Sequence, residues 1–72
     1  MGRLTQTRLD RAETRALKAL MARYELQQVD LARALSVPYF TLNAQLNGTR
    51  GVEADFLPRF RAAVAALAEA RR

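Results

Sequence analysis

The strongest constraint on the fold lies in residues 26–48, where two short apolar repeats are separated by a turn that contains proline. In residues 28–35 and again in residues 39–47, apolar side chains recur at three- and four-residue steps, the spacing of one helix face. This spacing predicts two short helices. Their expected buried side chains are Val29, Leu31, Ala32 and Leu35 in the first helix, and Leu42 and Leu46 in the second.

The turn between these two helices consists of Ser36, Val37 and Pro38. Proline disfavours helical geometry at the residue before it and suits the first turn of the helix that follows. Gly48 comes after the second helix, and glycine readily adopts the left-handed conformation that ends many helices. The pattern is therefore helix, three-residue turn, helix, and stop.

The segment before this pair predicts a longer helix over residues 8–24. Its apolar stripe is formed by Leu9, Ala12, Ala16, Leu17, Leu20, Met21 and Tyr24. Thr7 or Asp10 can cap this helix, and Thr7 followed by Asp10 three residues later resembles a capping box. Residues 1–7 have no apolar period, so we expect a flexible arm, which carries Arg3 and whose terminus frays.

The segment after the pair predicts a last helix over residues 55–70. Pro58 falls in its first turn, where the missing backbone donor costs nothing. Arg71 and Arg72 favour its C-terminal end electrostatically. Its large apolar side chains are Phe56, Leu57, Phe60, Val64 and Leu67.

The composition is that of one small helical domain spanning residues 1–72. The chain has 72 residues, no cysteine and no histidine, so neither disulfides nor thiolate metal sites stabilise it. No strand-like alternation is long enough to matter, and the fold class predicted is all-α, a compact bundle of four to five short helices. No apolar run approaches the roughly 18 residues of a membrane span, and no signal peptide is evident, so we expect a cytoplasmic protein.

The formal charge is +5, and its distribution is uneven. Residues 1–24 carry six basic and two acidic side chains, and residues 49–72 carry five and three. Residues 25–48 carry one basic side chain against two acidic ones. A basic surface attracts phosphate, although it can also be an ordinary solvated face. The positive charge flanks the central helix pair.

Residues 26–48 resemble the phage-repressor and Cro-like helix-turn-helix family, also called Xre-type. The family's Leu-Thr-Gln-x-x-Leu-Ala opening corresponds to the run from Leu26 to Ala32, and its closing Asn-Gly corresponds to Asn47 and Gly48. The resemblance implies a repressor-like fold in which the second helix of the pair enters the DNA major groove.

Three positions depart from the family pattern. Gln27 replaces the usual threonine and is a poorer N-cap. Ser36 replaces the turn glycine, and a positive φ there would add on the order of 1 kcal/mol of strain. Gln45 occupies a position where the family buries an apolar side chain. If Gln45 turns outward while Leu46 packs inside, the recognition helix rotates slightly.

The resemblance also implies roles for individual side chains. The implied base-reading residues are Tyr39, Phe40, Asn43 and Ala44. Those implied to contact the DNA backbone are Gln28, Asn47, Thr49 and Arg50, with Gln28 also supporting a recognition-helix side chain. Chemically, an asparagine amide can bond adenine bidentately, and apolar side chains can contact thymine methyl groups. Structural alternatives remain: the Asn-Gly pair could be only a helix stop, and the two aromatics could meet a protein partner.

The function expected is sequence-specific binding of double-stranded DNA by a small transcriptional regulator, with half-sites roughly 34 Å apart in a homodimer. The candidate dimer surface is formed by Phe56, Phe60, Val64 and Leu67, unless this stripe simply closes the monomer core. The competing hypothesis is a protein-interaction module, such as an antitoxin-like or regulator-binding helical domain. An enzyme is disfavoured, because the chain lacks histidine, cysteine and a glycine-rich phosphate loop. We expect no cofactor and no metal.

Overall fold

The computed structural model describes residues 7–71 as a compact all-α fold. Four helices follow one another in this part of the chain: α1 (Arg11–Arg23), α2 (Gln28–Leu35), α3 (Tyr39–Leu46) and α4 (Phe56–Ala70). No strand occurs among these residues. The predicted all-α bundle of short helices is confirmed. Helix α2 occupies the predicted residues, whereas α3 and α4 are each one residue shorter than predicted.

The first helix begins later than predicted, because Asp10 and not Thr7 is its N-cap. Asp10 accepts a hydrogen bond from the N–H of Glu13 over 2.7 Å, and the Glu13 carboxylate accepts one from the N–H of Asp10 over 2.9 Å. This reciprocal pair is a capping box. Thr7 instead forms an antiparallel bridge with Val52, with N–H···O distances of 3.1 and 3.0 Å. Of the predicted arm, residues 1–6 lie outside the described residues.

In the described part of the chain, a residue in the left-handed conformation follows each of α1, α2 and α3. These residues are Glu25 (φ 56°), Ser36 (φ 59°) and Gly48 (φ 76°). After α3, the N–H of Thr49 donates to the carbonyl of Ala44 over 3.0 Å, and equivalent bonds close α1 and α2. The positive φ predicted for Gly48 is confirmed. Ser36 carries the strain anticipated for a non-glycine residue there.

The core lies where α2 packs on α3 and α4, with α1 packing on α3. Its largest fully buried side chains are Phe60, Leu31, Leu42 and Leu46. Four residues predicted to lie on buried faces are exposed: Val29 (41% exposed), Tyr24 (40% exposed), Ala12 and Ala16. Val29 precedes Leu31 by two residues, or about 200° of helical rotation, and so faces the opposite side.

The apolar stripe of α4 belongs to this core and is not a free dimer surface. Phe56, Phe60 and Val64 are 7%, 0% and 3% exposed, and Leu67 is half-buried against the same cluster. The predicted dimer surface is therefore wrong in three of its four residues. Periodic apolar residues indicate which face of a helix is buried. In so short a chain, that face packs into the core of the monomer itself.

Two arginines of the C-terminal segment tie α4 to the ends of earlier helices. Arg59 donates from a guanidinium nitrogen to the carbonyl of Leu35 over 3.2 Å, at the end of α2. Arg71 donates likewise to the carbonyl of Glu25 over 2.6 Å, just after α1. A cation at a helix C-terminus satisfies carbonyls without intrahelical partners and favours the helix dipole. These two positive charges therefore serve the fold.

Candidate nucleic-acid interface

Helix α3 presents one face to the core and leaves the other open. Leu42 and Leu46 are completely buried, which fixes the rotation of the helix. Phe40 and Ala44 are four residues apart and lie one turn apart on the outward side of the helix. Phe40 is 71% exposed, and Ala44 is half-buried. Tyr39, which is 52% exposed, lies at the first turn.

Asn43 is held at the flank of this face by a hydrogen bond from α2. The Nε2 amide of Gln28, at the start of α2, donates to Oδ1 of Asn43 over 3.1 Å. The bond joins residues fifteen positions apart and fixes the rotamer of an exposed side chain. An amide oxygen has two lone pairs, so Asn43 Oδ1 can accept a second hydrogen bond, and its NH₂ group keeps both donors. The support that the family resemblance implied for Gln28 has its counterpart in this contact.

A cation that the sequence did not single out lies at the end of α3. Nζ of Lys18, in α1, donates to Oδ1 of Asn47 over 3.1 Å. The ammonium group has three donors and uses one here, so it keeps donors for an anion. Because the two residues are 29 positions apart, only the packing of α1 on α3 reveals their proximity.

In the segment after α3, Thr49 has a structural role, whereas Arg50 is exposed to solvent. The hydroxyl of Thr49 donates to the carbonyl of Ala44 over 3.1 Å, and its N–H donates to the same oxygen. Both donors of Thr49 are engaged in ending the helix, which leaves none for a phosphate in this conformation. Arg50, the next residue, is exposed and is the one basic side chain in residues 47–51. Of these two predicted backbone contacts, Arg50 is the better placed.

Gln45 lies on the inner flank of α3 and faces the loop that follows the helix. Its Nε2 donates to the carbonyl of Gly51 over 3.4 Å, while Oε1 is buried with no hydrogen-bond partner in the described part of the chain. Together with Arg50 and Arg59 it lines a cleft of about 410 Å³. Leu46 packs inside as expected, but Gln45 turns towards this loop and not outward.

Other kinds of site find no support among the residues described. Within residues 7–71 no cluster of three side chains suited to a metal ion is present. No helix in that range is both long and apolar enough to cross a membrane.

Comparison with known proteins adds no relative: neither a family model, nor a curated protein, nor a solved structure matches this chain. The likeness of residues 26–48 to the Xre-type family therefore stays a prediction from the motif. Any role for α2 and α3 must therefore be inferred from the chemistry of their own side chains and neighbours. Three features bear on that chemistry: the oriented Asn43, the exposed Phe40, and the cations Lys18 and Arg50.

Proposed function

We propose that this protein binds double-stranded DNA as a small regulator of transcription, with α3 lying in the major groove. The observation that carries the proposal is the hydrogen bond from Gln28 to Asn43. It orients a hydrogen-bonding side chain at the edge of an exposed helix face, and preorganised polar groups are what base recognition needs. The helix, three-residue turn and helix of residues 28–46 are the arrangement by which repressor-like domains present such a face.

The side chains of α3 favour A·T base pairs. Asn43 can donate to N7 of adenine and accept from its N6 amino group while Oδ1 still accepts from Gln28. Phe40 and Ala44 offer apolar surface to thymine methyl groups, and Tyr39 offers both a ring and a hydroxyl. Helix α3 contains no arginine or lysine, which make the commonest guanine contacts. We therefore expect an operator whose half-site is rich in adenine and thymine under α3.

Side chains around α3 make the contacts with the DNA backbone. Lys18 and Arg50 lie near its C-terminal end, one on α1 and one on the following loop. Each phosphate that a cation neutralises releases a counterion, so the affinity falls with salt in proportion to the number of contacts. These contacts hold the helix on the duplex without reading its sequence.

Selection of binding sites from a random duplex library tests this proposal directly. The expected result is a short, two-fold related motif with A·T pairs beneath α3. A parallel titration should show the logarithm of the affinity falling linearly with the logarithm of the salt concentration. A library that yields no enriched motif, or one with only guanine contacts under α3, contradicts the proposal.

A protein-interaction module is the second candidate function, and the exposed aromatic pair favours it. Phe40 and Tyr39 are adjacent, and both are more than half exposed. Aromatic side chains are enriched at protein interfaces, where they bury large areas. Salt discriminates the two functions, because binding to a protein through this pair gives a much flatter salt response than binding to DNA.

A further inference from the structure

The cleft that Gln45 lines carries charges of both signs. It lies between the turn after α2, the inner flank of α3 and the start of α4, and we call it the Gln45 cleft. Its volume of about 410 Å³ is within the range of pockets that bind small molecules, roughly 300–1,000 Å³. Its charged side chains, all of them exposed, are Arg50, Glu53, Asp55 and Arg59.

These four charges do not pair with one another. Arg59 follows Asp55 by four residues, so their Cβ atoms lie about 5–6 Å apart on one face of α4. The guanidinium of Arg59 nevertheless donates to the carbonyl of Leu35, which uses one of its five donors. Asp55 is the N-cap of α4, yet its carboxylate accepts no capping hydrogen bond. In the described part of the chain none of the four forms an ion pair, so their charges remain available to a ligand.

Gln45 adds an amide group whose hydrogen bonding is incomplete. Its Nε2 makes one long bond of 3.4 Å to the carbonyl of Gly51, and Oε1 is buried without a partner in the described residues. Few buried polar groups in folded proteins lack a partner, and a group that binds there is one explanation for such an exception. Rotation of this side chain into the cleft would give Oε1 a ligand donor and would lose only one weak hydrogen bond.

Apolar side chains lie beside the charges. Leu35, Val37 and Phe56 line the same cleft, and Val37 is only half-buried. A ligand with an anionic group alone would meet two carboxylates, and a ligand with a cationic group alone would meet two guanidinium groups. The lining therefore favours a small molecule that has both charges and a short apolar group.

We infer that the Gln45 cleft binds a free α-amino acid with an apolar side chain. Its carboxylate accepts from Arg59 and Arg50, its ammonium group donates to Asp55, and its side chain contacts Val37. An α-amino acid carries its two charges on adjacent groups, a separation that suits the neighbouring Asp55 and Arg59. The site goes beyond the proposed function, because it needs no DNA. Arg50 is also one of the proposed DNA contacts, so ligand binding is measured without DNA and the two proposals can fail separately.

Titration of the protein with L-valine, L-leucine and L-phenylalanine in turn, followed by amide chemical shifts, tests the site. We expect the N–H signals of Val37, Thr41 and Gly51 to shift while those of α1 stay constant, with a dissociation constant on the order of 1 mM for the best of the three. The amide of that amino acid lacks the carboxylate, and its deaminated acid lacks the ammonium group. Each analogue should bind about three- to tenfold more weakly. Cleft signals that shift with none of the three amino acids at about 10 mM overturn the inference.

Asp55→Asn separates recognition of the ammonium group from folding. Asparagine caps helices as well as aspartate does, and the Asp55 side chain makes no capping bond, so circular dichroism should show unchanged helicity. The variant should bind the amino acid about three- to tenfold more weakly, whereas its affinity for the deaminated acid should not fall. Asp30→Asn is the matched control, since Asp30 lies in α2 outside the cleft and the same charge is lost. Equal loss of both ligands in Asp55→Asn, or the same loss in Asp30→Asn, overturns the inference.

Discussion

If Gln28 positions Asn43 for base recognition, replacing Gln28 should reduce sequence discrimination without the side chain itself touching a base. The Gln28→Ala variant loses one neutral hydrogen bond of 3.1 Å, whose net contribution is about 0.5–1.5 kcal/mol. Asn43→Ala removes the reading group and should lower discrimination at one base pair by about 1–3 kcal/mol. Because Gln28 acts through Asn43, its effect cannot exceed that of Asn43.

The assay is fluorescence anisotropy on two duplexes that differ only at the adenine opposite Asn43. Taking the ratio of the two affinities cancels any phosphate contact that Gln28 makes on every sequence. In a double-mutant cycle, Gln28→Ala should lower the ratio about two- to tenfold in the unaltered protein and not at all when Asn43 is already alanine. Gln27→Ala is the matched control, since Gln27 is the exposed neighbouring residue and makes no side-chain capping bond.

Two results would refute this reasoning. If the effects of Gln28→Ala and Asn43→Ala on the ratio are additive, the two side chains act independently. If Gln28→Ala weakens both duplexes equally and leaves the ratio unchanged, Gln28 contacts only the DNA backbone.

Substitutions at four further positions test the remaining features. Arg50→Ala should weaken binding to all duplexes alike and lower the salt slope by about one, and unequal loss between the two duplexes would contradict a phosphate role. Ser36→Gly should raise the free energy of unfolding by about 0.5 kcal/mol, because relief of left-handed strain exceeds the added chain entropy, whereas Ser36→Ala should give no gain. Gly48→Ala should lower it by about 1–2 kcal/mol, since φ is 76° and the new Cβ would lie 3.1 Å from a backbone oxygen. Gln45→Met should raise it by about 1 kcal/mol by removing a buried unpaired acceptor; chemical denaturation measures all three stabilities.

The helix bounds could largely be predicted from the sequence, because local rules determine them. The apolar period and Pro38 were enough for α2 and for the start of α3, and Gly48 was enough for its end. The end of α1 was less predictable, since Glu25 has no special preference for the left-handed conformation that it adopts. There the tertiary structure prevails over local preference.

The candidate site was predictable only in part, because it depends on contacts between distant segments. The resemblance implied that Gln28 supports a side chain of the second helix, but not that this side chain is Asn43. Lys18 and Asn47 meet only because α1 packs on α3, and no local pattern records that. The stripe on α4 failed as a dimer prediction because periodicity tells which face is buried and not which partner buries it.

If α3 reads DNA as proposed, its division into two faces lets recognition and stability change independently. Leu42 and Leu46 hold the helix from within, whereas Phe40 and Asn43 are exposed. Exposed side chains of this kind contribute little to folding, so they can be exchanged to read other sequences at small cost in stability. The exception is the end of the helix, where the hydroxyl and the N–H of Thr49 both donate to the carbonyl of Ala44. A change of specificity should therefore proceed through the first two turns of α3, whereas a change at Thr49 should destabilise the fold.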